Sequence, residues 1–368
     1  MHLNLKKRLA LEFYRHYRHN EVATHPLTYF FWECTLRCNL HCLHCGSDCV
    51  KDAIPDMPRE DFMKVLDSLA PHIDPKHFMV VITGGEPLMR PDLVECGKEI
   101  QKRGYPWGMV SNALAMSPEK YKALLGAGLR SLTISLDGLH DSHNHFRGSE
   151  FSFDNALRAI KMAANTPGLT FDVMTCVNRE NLPELPEIRE LLTAIGVKRW
   201  RIATVFPKGR AANNPIFKLP DNEFKQVFDF IRETKMQGRI NVNYGCEGFL
   251  GSYEKEARNY PFFCRAGVNV SSVLANGDIS ACPSLRGDYI QGNIYKDDLW
   301  DVWQNRYQIM RDRSWTRTGD CKKCKYWRYC EGSSLHLRDE KSGELMYCHV
   351  KRLQHAIDME REAANQAK

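Results

Sequence analysis

The sequence predicts an α/β fold: a partial, TIM-like (β/α)6 barrel followed by a small cysteine-rich domain. Three observations predict it. Between residues 28 and 238, six short apolar runs alternate with six segments of helical period. Polar motifs follow the C-terminal end of each run, where barrel chemistry collects. Beyond residue 238 the alternation stops and cysteines return.

The elements can be justified in chain order. Tyr29 to Trp32 is a strand-like aromatic run, and after a cysteine-rich loop Phe62, Val65, Leu66 and Leu69 share a helix face. Met79 to Ile82 is the second strand, and Pro91 to Arg103 its helix, closed by Gly104. Trp107 to Val110 precedes a helix opened by Ser117-Pro118, an N-cap followed by proline at the first helical position. Leu132, Ile134 and Leu136 alternate as strand four, with a helix from Ser152. Thr170 to Val177 leads to a helix over Pro186 to Ile195, closed by Gly196. Val197 to Phe206 leads to Asp221 to Gly238, where Phe224, Val227, Phe228 and Ile231 share a face. Six such units imply a parallel sheet with right-handed crossovers. The expected domains are an N-terminal helix over 1–27, a barrel over 28–238 and a cysteine-rich domain over 239–368.

Composition narrows the function. At 368 residues and 43% hydrophobic the chain has room for two domains, and no apolar stretch approaches the ~18 residues of a membrane span. The net charge of +6 is spread out, with no basic block beyond the N-terminus, which argues against nucleic acid. Lys6, Lys7, Arg8, Arg15 and Arg18 come without an apolar core, so no secretory signal is expected. Leu5, Leu9, Phe13 and Tyr17 recur every four residues, giving an amphipathic basic helix. Three roles stay open for it: a cap on the barrel, a membrane-surface contact, or a partner helix. Fourteen cysteines in such a chain argue for metal rather than disulfides, and for a reduced cytoplasmic location.

Five cysteines fall between Cys34 and Cys49, and only Cys38, Cys42 and Cys45 show three and then two intervening residues. A cubane [4Fe–4S] cluster takes four cysteines, so three leave one iron open to a small molecule. A zinc knuckle closes with four ligands and needs no partner motif. Here Gly84-Gly85-Glu86-Pro87 follows strand two directly.

This pair of motifs resembles the radical S-adenosylmethionine (SAM) superfamily, over roughly residues 28 to 235. The resemblance implies that Cys38, Cys42 and Cys45 hold the cluster, whose open iron is chelated by the amino and carboxylate groups of SAM. It implies that Gly84 and Gly85 let the backbone come close to the ligand and that Glu86 offers a carboxylate to the SAM ammonium. His44 holds the family's adenine-facing position, Asn112 and Ser135 would bond ribose or carboxylate, and Arg147 would pair the SAM carboxylate. The family's strand-three Asn-Gly reads Asn112-Ala113 here. The implied chemistry is reductive cleavage of SAM to a 5′-deoxyadenosyl radical that abstracts a substrate hydrogen, fed by a reductant such as flavodoxin or ferredoxin.

The C-terminal cysteines resemble the SPASM extension, which holds auxiliary [4Fe–4S] clusters in peptide-modifying relatives. Cys321, Cys324, Cys330 and Cys348 would form one fully ligated cluster. A second would take Cys264, Cys282 and Cys246, but the position where the module has its next cysteine is Ser334. Cys96 and Cys176 are read as buried small hydrophobes. The leading expectation is an enzyme that modifies a peptide or small protein, and the sequence is similar to a branch of SPASM proteins paired with a small lipoprotein. The competing readings are a small-molecule, haem-pathway-like transformation and an electron-transfer protein. The latter has no use for the Gly-Gly-Glu-Pro segment.

Overall fold

The computed structural model describes residues 3–50, 54–212, 214–245 and 247–367. Ten strands form one sheet: β1 (Tyr29–Glu33), β2 (Met79–Thr83), β3 (Trp107–Ser111), β4 (Leu129–Ser135), β5 (Thr170–Val177), β6 (Arg199–Thr204), β7 (Asn241–Tyr244), β8 (Val270–Val273), β9 (Asp278–Ser280) and β10 (Gly292–Asn293). Their order is β10-β9-β8-β1-β2-β3-β4-β5-β6-β7. From β1 to β7 every pairing is parallel and in chain order. Crossover helices Arg59–Leu69, Leu93–Lys102, Pro118–Gly126, Ser152–Ala164, Leu185–Ile195 and Asp221–Gln237 make this possible.

All six expected strand–helix units are therefore present, with boundaries shifted by a residue or two. The helix expected from Pro91 starts at Leu93, while the capped start at Ser117 holds, its Oγ accepting from Lys120 N–H. The sheet also continues past residue 238. β7 extends it beside β6, and β8 pairs in parallel with β1 from the other edge, followed by antiparallel β9 and β10. Asn-Val-Asn-Tyr and Val-Ser-Ser-Val carry too few apolar residues for periodicity to mark them as strands. A helix at His140–Arg147 was likewise unexpected.

The core is built where strands meet the crossover helices. Trp32 and Phe30 stack on Phe62 at 4.1 and 5.7 Å between ring centroids, and all three are fully buried. The alternating Leu132, Ile134 and Leu136 are fully buried too, as are Phe224, Val227, Phe228 and Ile231. Each such side chain contributes on the order of 1.5–3 kcal/mol by leaving water.

The N-terminal helix Leu5–Thr24 packs on the C-terminal region rather than over the barrel mouth: Leu3 and Leu11 cluster with Phe249, Phe262 and Tyr329. The C-terminal helix His349–Gln366 lies along Asp221–Gln237, tied by Arg352 Nε to Asp221 Oδ1 at 2.7 Å. No helix is long and apolar enough to cross a membrane among the described residues.

Candidate active site

The loop carrying Cys38, Cys42 and Cys45 leaves the C-terminal end of β1 and is clamped from three sides. The first clamp is the Gly84-Gly85-Glu86 segment after β2, where Gly85 N–H donates to Thr35 O (2.8 Å) and Glu86 N–H to Arg37 O (2.9 Å). Only glycine fits here. A Cβ on Gly84 would lie 2.2 Å from Thr35 O, and one on Gly85 2.3 Å from Arg37 O. The close approach that these glycines permit is thus to the cysteine loop itself. The second clamp is the end of helix His140–Arg147, where Phe146 O accepts from Leu43 N–H (2.9 Å). The third is Arg210, in the loop after β6. Its N–H bonds Cys45 O (3.0 Å), Nε bonds Cys42 O (2.8 Å) and Nη1 bonds Cys49 O (3.0 Å).

Glu86 is buried and braces two strand ends. Its Oε1 accepts from Ser111 Oγ (2.8 Å) and Leu88 N–H (3.1 Å), and its Oε2 from Asn112 N–H (2.7 Å). Burial pushes its carboxyl up, against these donors. Asn112 Nδ2 in turn reaches Asn39 Oδ1 (2.9 Å) and faces Cys38 Sγ at 3.9 Å. The Asn112-Ala113 departure from Asn-Gly has a physical counterpart: buried Ala113 takes a left-handed φ of 61°, which costs roughly 1–2 kcal/mol for a residue with a Cβ.

Across the rim, Arg147 Nη1 lies 3.7 Å from Cys42 Sγ, and its Nη2 pairs with Asp137 Oδ2 at 2.5 Å. His44 Nε2 approaches the same oxygen at 3.2 Å. Burial would raise the Asp137 carboxyl, but Arg147 and His44 hold it well below the usual carboxylate range. Asp137, His44 and Cys176 present ligand-type atoms within 4.8 Å of one another. The Arg147 guanidinium already supplies the positive charge there. His44 is ringed by Phe146 and Phe217, at 6.4 and 6.1 Å. Arg147 Nε is buried without a hydrogen-bond partner. A ligand with polar groups suits such a rim, so the residues fit an amino-acid-bearing cofactor at the cysteine loop. Ser135, half-buried, ends β4 on this side.

No disulfide joins two of the described cysteines. Burial pushes Cys38 up to about 11 and raises Cys42, whereas a hydrogen bond from the Cys49 thiol holds Cys45 toward the thiolate. Iron takes thiolates, so cluster binding would release protons from the first two. Cys34 and Cys49 are both buried, outside the three-then-two spacing.

The C-terminal cysteines gather in one place. Cys321, Cys324, Cys330 and Cys348 all line a cavity of about 420 Å³. Four thiols around one cavity are the donor set that a cubane would take, one per iron. Cys264 lines a small crevice with Ser333 and Cys330. Ser334 N–H donates to Glu247 O at 3.3 Å. The helical turn at Leu335–Leu337 touches that at Pro283–Leu285, beside Cys282. Cys246 lies outside the described residues.

Of the residues expected from sequence, His44, Gly84, Gly85, Glu86, Asn112, Ser135 and Arg147 therefore share the rim with Cys38, Cys42 and Cys45. Asp137, Cys176 and Arg210 were not expected. Cys96 is buried in its helix as a small hydrophobe, but Cys176 is half-buried beside His44 and Asp137. The Ser-Leu-Asp-Gly ending of β4 and the Pro-Lys-Gly-Arg run after β6 were the available signals, since both follow strand ends.

Two family models match the chain. The Radical SAM superfamily model covers residues 32–192, and SPASM, an iron–sulfur cluster-binding domain, covers residues 264–325. The chain therefore carries a radical SAM domain followed by a SPASM domain. Its cofactors are SAM and [4Fe–4S] clusters, auxiliary ones included. Among similar proteins, the AdoMet-dependent heme synthase of Nitratidesulfovibrio vulgaris is 27% identical over 82% of this chain and 85% of its own length. The mycofactocin maturase MftC of Mycolicibacterium smegmatis is 26% identical over 83% and 77%. Streptococcus suis SuiB bound to its precursor peptide SuiA superposes with a TM-score of 0.71 at 19% identity, over 92% of this chain and 79% of that one. That likeness shows the fold.

Proposed function

We propose that this radical SAM enzyme modifies a residue of a peptide or small protein, with Cys38, Cys42 and Cys45 holding the SAM-binding cluster. The bound cofactors supply hydrogen-atom abstraction from an unactivated carbon. The chain's own residues hold and shield them. Arg147, kept charged and oriented by Asp137, offers its open Nε to a carboxylate. Asn112 covers Cys38, and Phe146 and Phe217 exclude water around His44.

One observation carries the substrate reading. A cavity of about 730 Å³ lies between the loop after β6 and the Met346–Arg352 segment, walled by Thr204, Val205, Phe217 and Tyr347. Phe217 is at once a cavity wall and the neighbour of His44. The charged residues of the wall are Lys218, Asp221 and Arg352, and the last two are paired with each other. A tetrapyrrole carrying several carboxylates calls for several free cations; an apolar or neutral peptide side chain does not.

The relatives named for heme synthesis favour the second reading, a small-molecule transformation. One experiment separates the two. Reconstituted enzyme with SAM and a flavodoxin, ferredoxin or dithionite reductant is offered any short peptide encoded beside it, or an iron porphyrin. A mass change on a peptide, matched by 5′-deoxyadenosine, is expected. Modified porphyrin side chains with every peptide unchanged would reverse the assignment.

A further inference from the structure

The helix Leu5–Thr24 is attached along one side only. That side buries Leu3 and Leu11, pairs Lys7 with Glu256, and sends Arg18 to Tyr329 O (2.6 Å), Arg328 O (3.0 Å) and Glu331 Oε1 (2.7 Å). The opposite side carries Leu5, Leu9, Phe13 and Tyr17, exposed by 71, 52, 76 and 42%. At four-residue spacing these four make one row, about 18 Å long at 1.5 Å per residue. A single exposed leucine is ordinary, but a contiguous apolar row on a helix pinned in place marks a contact surface.

The charges beside the row are of one sign. Lys6 and Arg8 are exposed and enter no ion pair among the described residues. The helix's two acids face elsewhere: Glu12 accepts from Tyr329 OH (2.6 Å) and Arg328 (2.8 Å), and Glu21 lies 3.8 Å from Arg265. Aromatic rings extend the surface. Tyr14 lies 5.4 Å from Tyr17, and it lines a shallow depression with Tyr260, itself 75% exposed.

We propose that this face docks on an anionic lipid bilayer, with the helix lying in the plane of the interface. The pattern meets the requirements for such a helix: leucine and aromatic side chains to enter the headgroup boundary, and unpaired cations alongside to meet anionic lipid. Because the helix is already formed and anchored, docking incurs no folding cost. The inference is independent of which substrate the enzyme takes.

The test is flotation of the reconstituted full chain with vesicles of mixed phosphatidylcholine and phosphatidylglycerol, against phosphatidylcholine alone. Binding to the anionic vesicles, weakened by salt, is expected. The double variant Leu9→Glu, Phe13→Glu should lose about tenfold or more of that binding, with helicity and 5′-deoxyadenosine yield unchanged. Lys6→Gln with Arg8→Gln, which leaves the apolar row intact, should also lose more than about tenfold, at about fivefold per charge. Wild-type protein that ignores anionic vesicles, or charge variants that bind them equally well, would overturn the proposal. So would a dimer in light scattering that the glutamate variant dissolves, since the face would then belong to a second copy of the chain.

Discussion

His143 must stay neutral. Its Nδ1 accepts from Asp137 N–H at 2.9 Å and its Nε2 meets Ser152 Oγ at 3.0 Å, so a second ring proton would set N–H against N–H. Burial, reinforced by the charge of Arg147, pushes the ring down to about 3. The unfolded chain takes up this proton near pH ~6.5, so the contribution of His143 is whole above that value. It is lost as pH falls from there toward 3, at about 1.4 kcal/mol per pH unit. His143→Asn keeps an acceptor near Nδ1 without titrating. Urea midpoints of the variant should fall less than those of the wild type between pH 7 and 5; parallel curves would mean the ring is not the titrating group. The same residue scale explains Gly84 and Gly85, whose missing side chains let two loops touch.

At the scale of elements, the cysteine loop depends on its clamps as much as on its sulfurs. Arg210 reaches three of its carbonyls, counting its own N–H. We expect Arg210→Ala to lose up to about four irons per chain, one cubane's worth, and most 5′-deoxyadenosine formation. Arg210→Lys should recover little, because a point charge cannot bond two carbonyls in fixed directions. Full iron and undiminished SAM cleavage in the alanine variant would show the clamp to be dispensable. Most elements that build this site were legible in the sequence, because β1 to β6 are short apolar runs and their helices carry clear apolar stripes. Helix His140–Arg147 was not, since Phe146 is its one large apolar residue. With it went the pairing of Arg147 with Asp137. Arg210 escaped for a related reason: its partners are backbone carbonyls some 160 residues earlier, which no local pattern announces.

For the whole molecule, the open question is how many clusters the C-terminal region holds. Ser334 stands beside Glu247 where a fourth cysteine is expected, and a serine hydroxyl resists the deprotonation that iron ligation requires, whereas thiols titrate near pKa ~8.5. We expect Cys264 and Cys282 to contribute nonetheless to a cluster whose fourth iron takes another donor. Iron analysis of reconstituted protein should then give about twelve irons per chain, falling to about eight in Cys264→Ala. About eight irons in the wild type, unchanged by the substitution, would mean that this site has lost its cluster.

The pairing of β8 with β1 has a bearing on how the protein is made. Tyr29 leaves the ribosome about 240 residues before its partner Val270. At about 5–20 residues per second that is roughly 12 to 50 s. Throughout that interval β1 presents an unpaired edge, the kind that recruits other strands. The N-terminal half, although it holds the three cysteines and both glycines, is therefore a poor candidate for independent life. Cutting the gene after the barrel would strip β7 to β10 from the sheet along with the auxiliary iron sites, and the product should collect in the insoluble fraction.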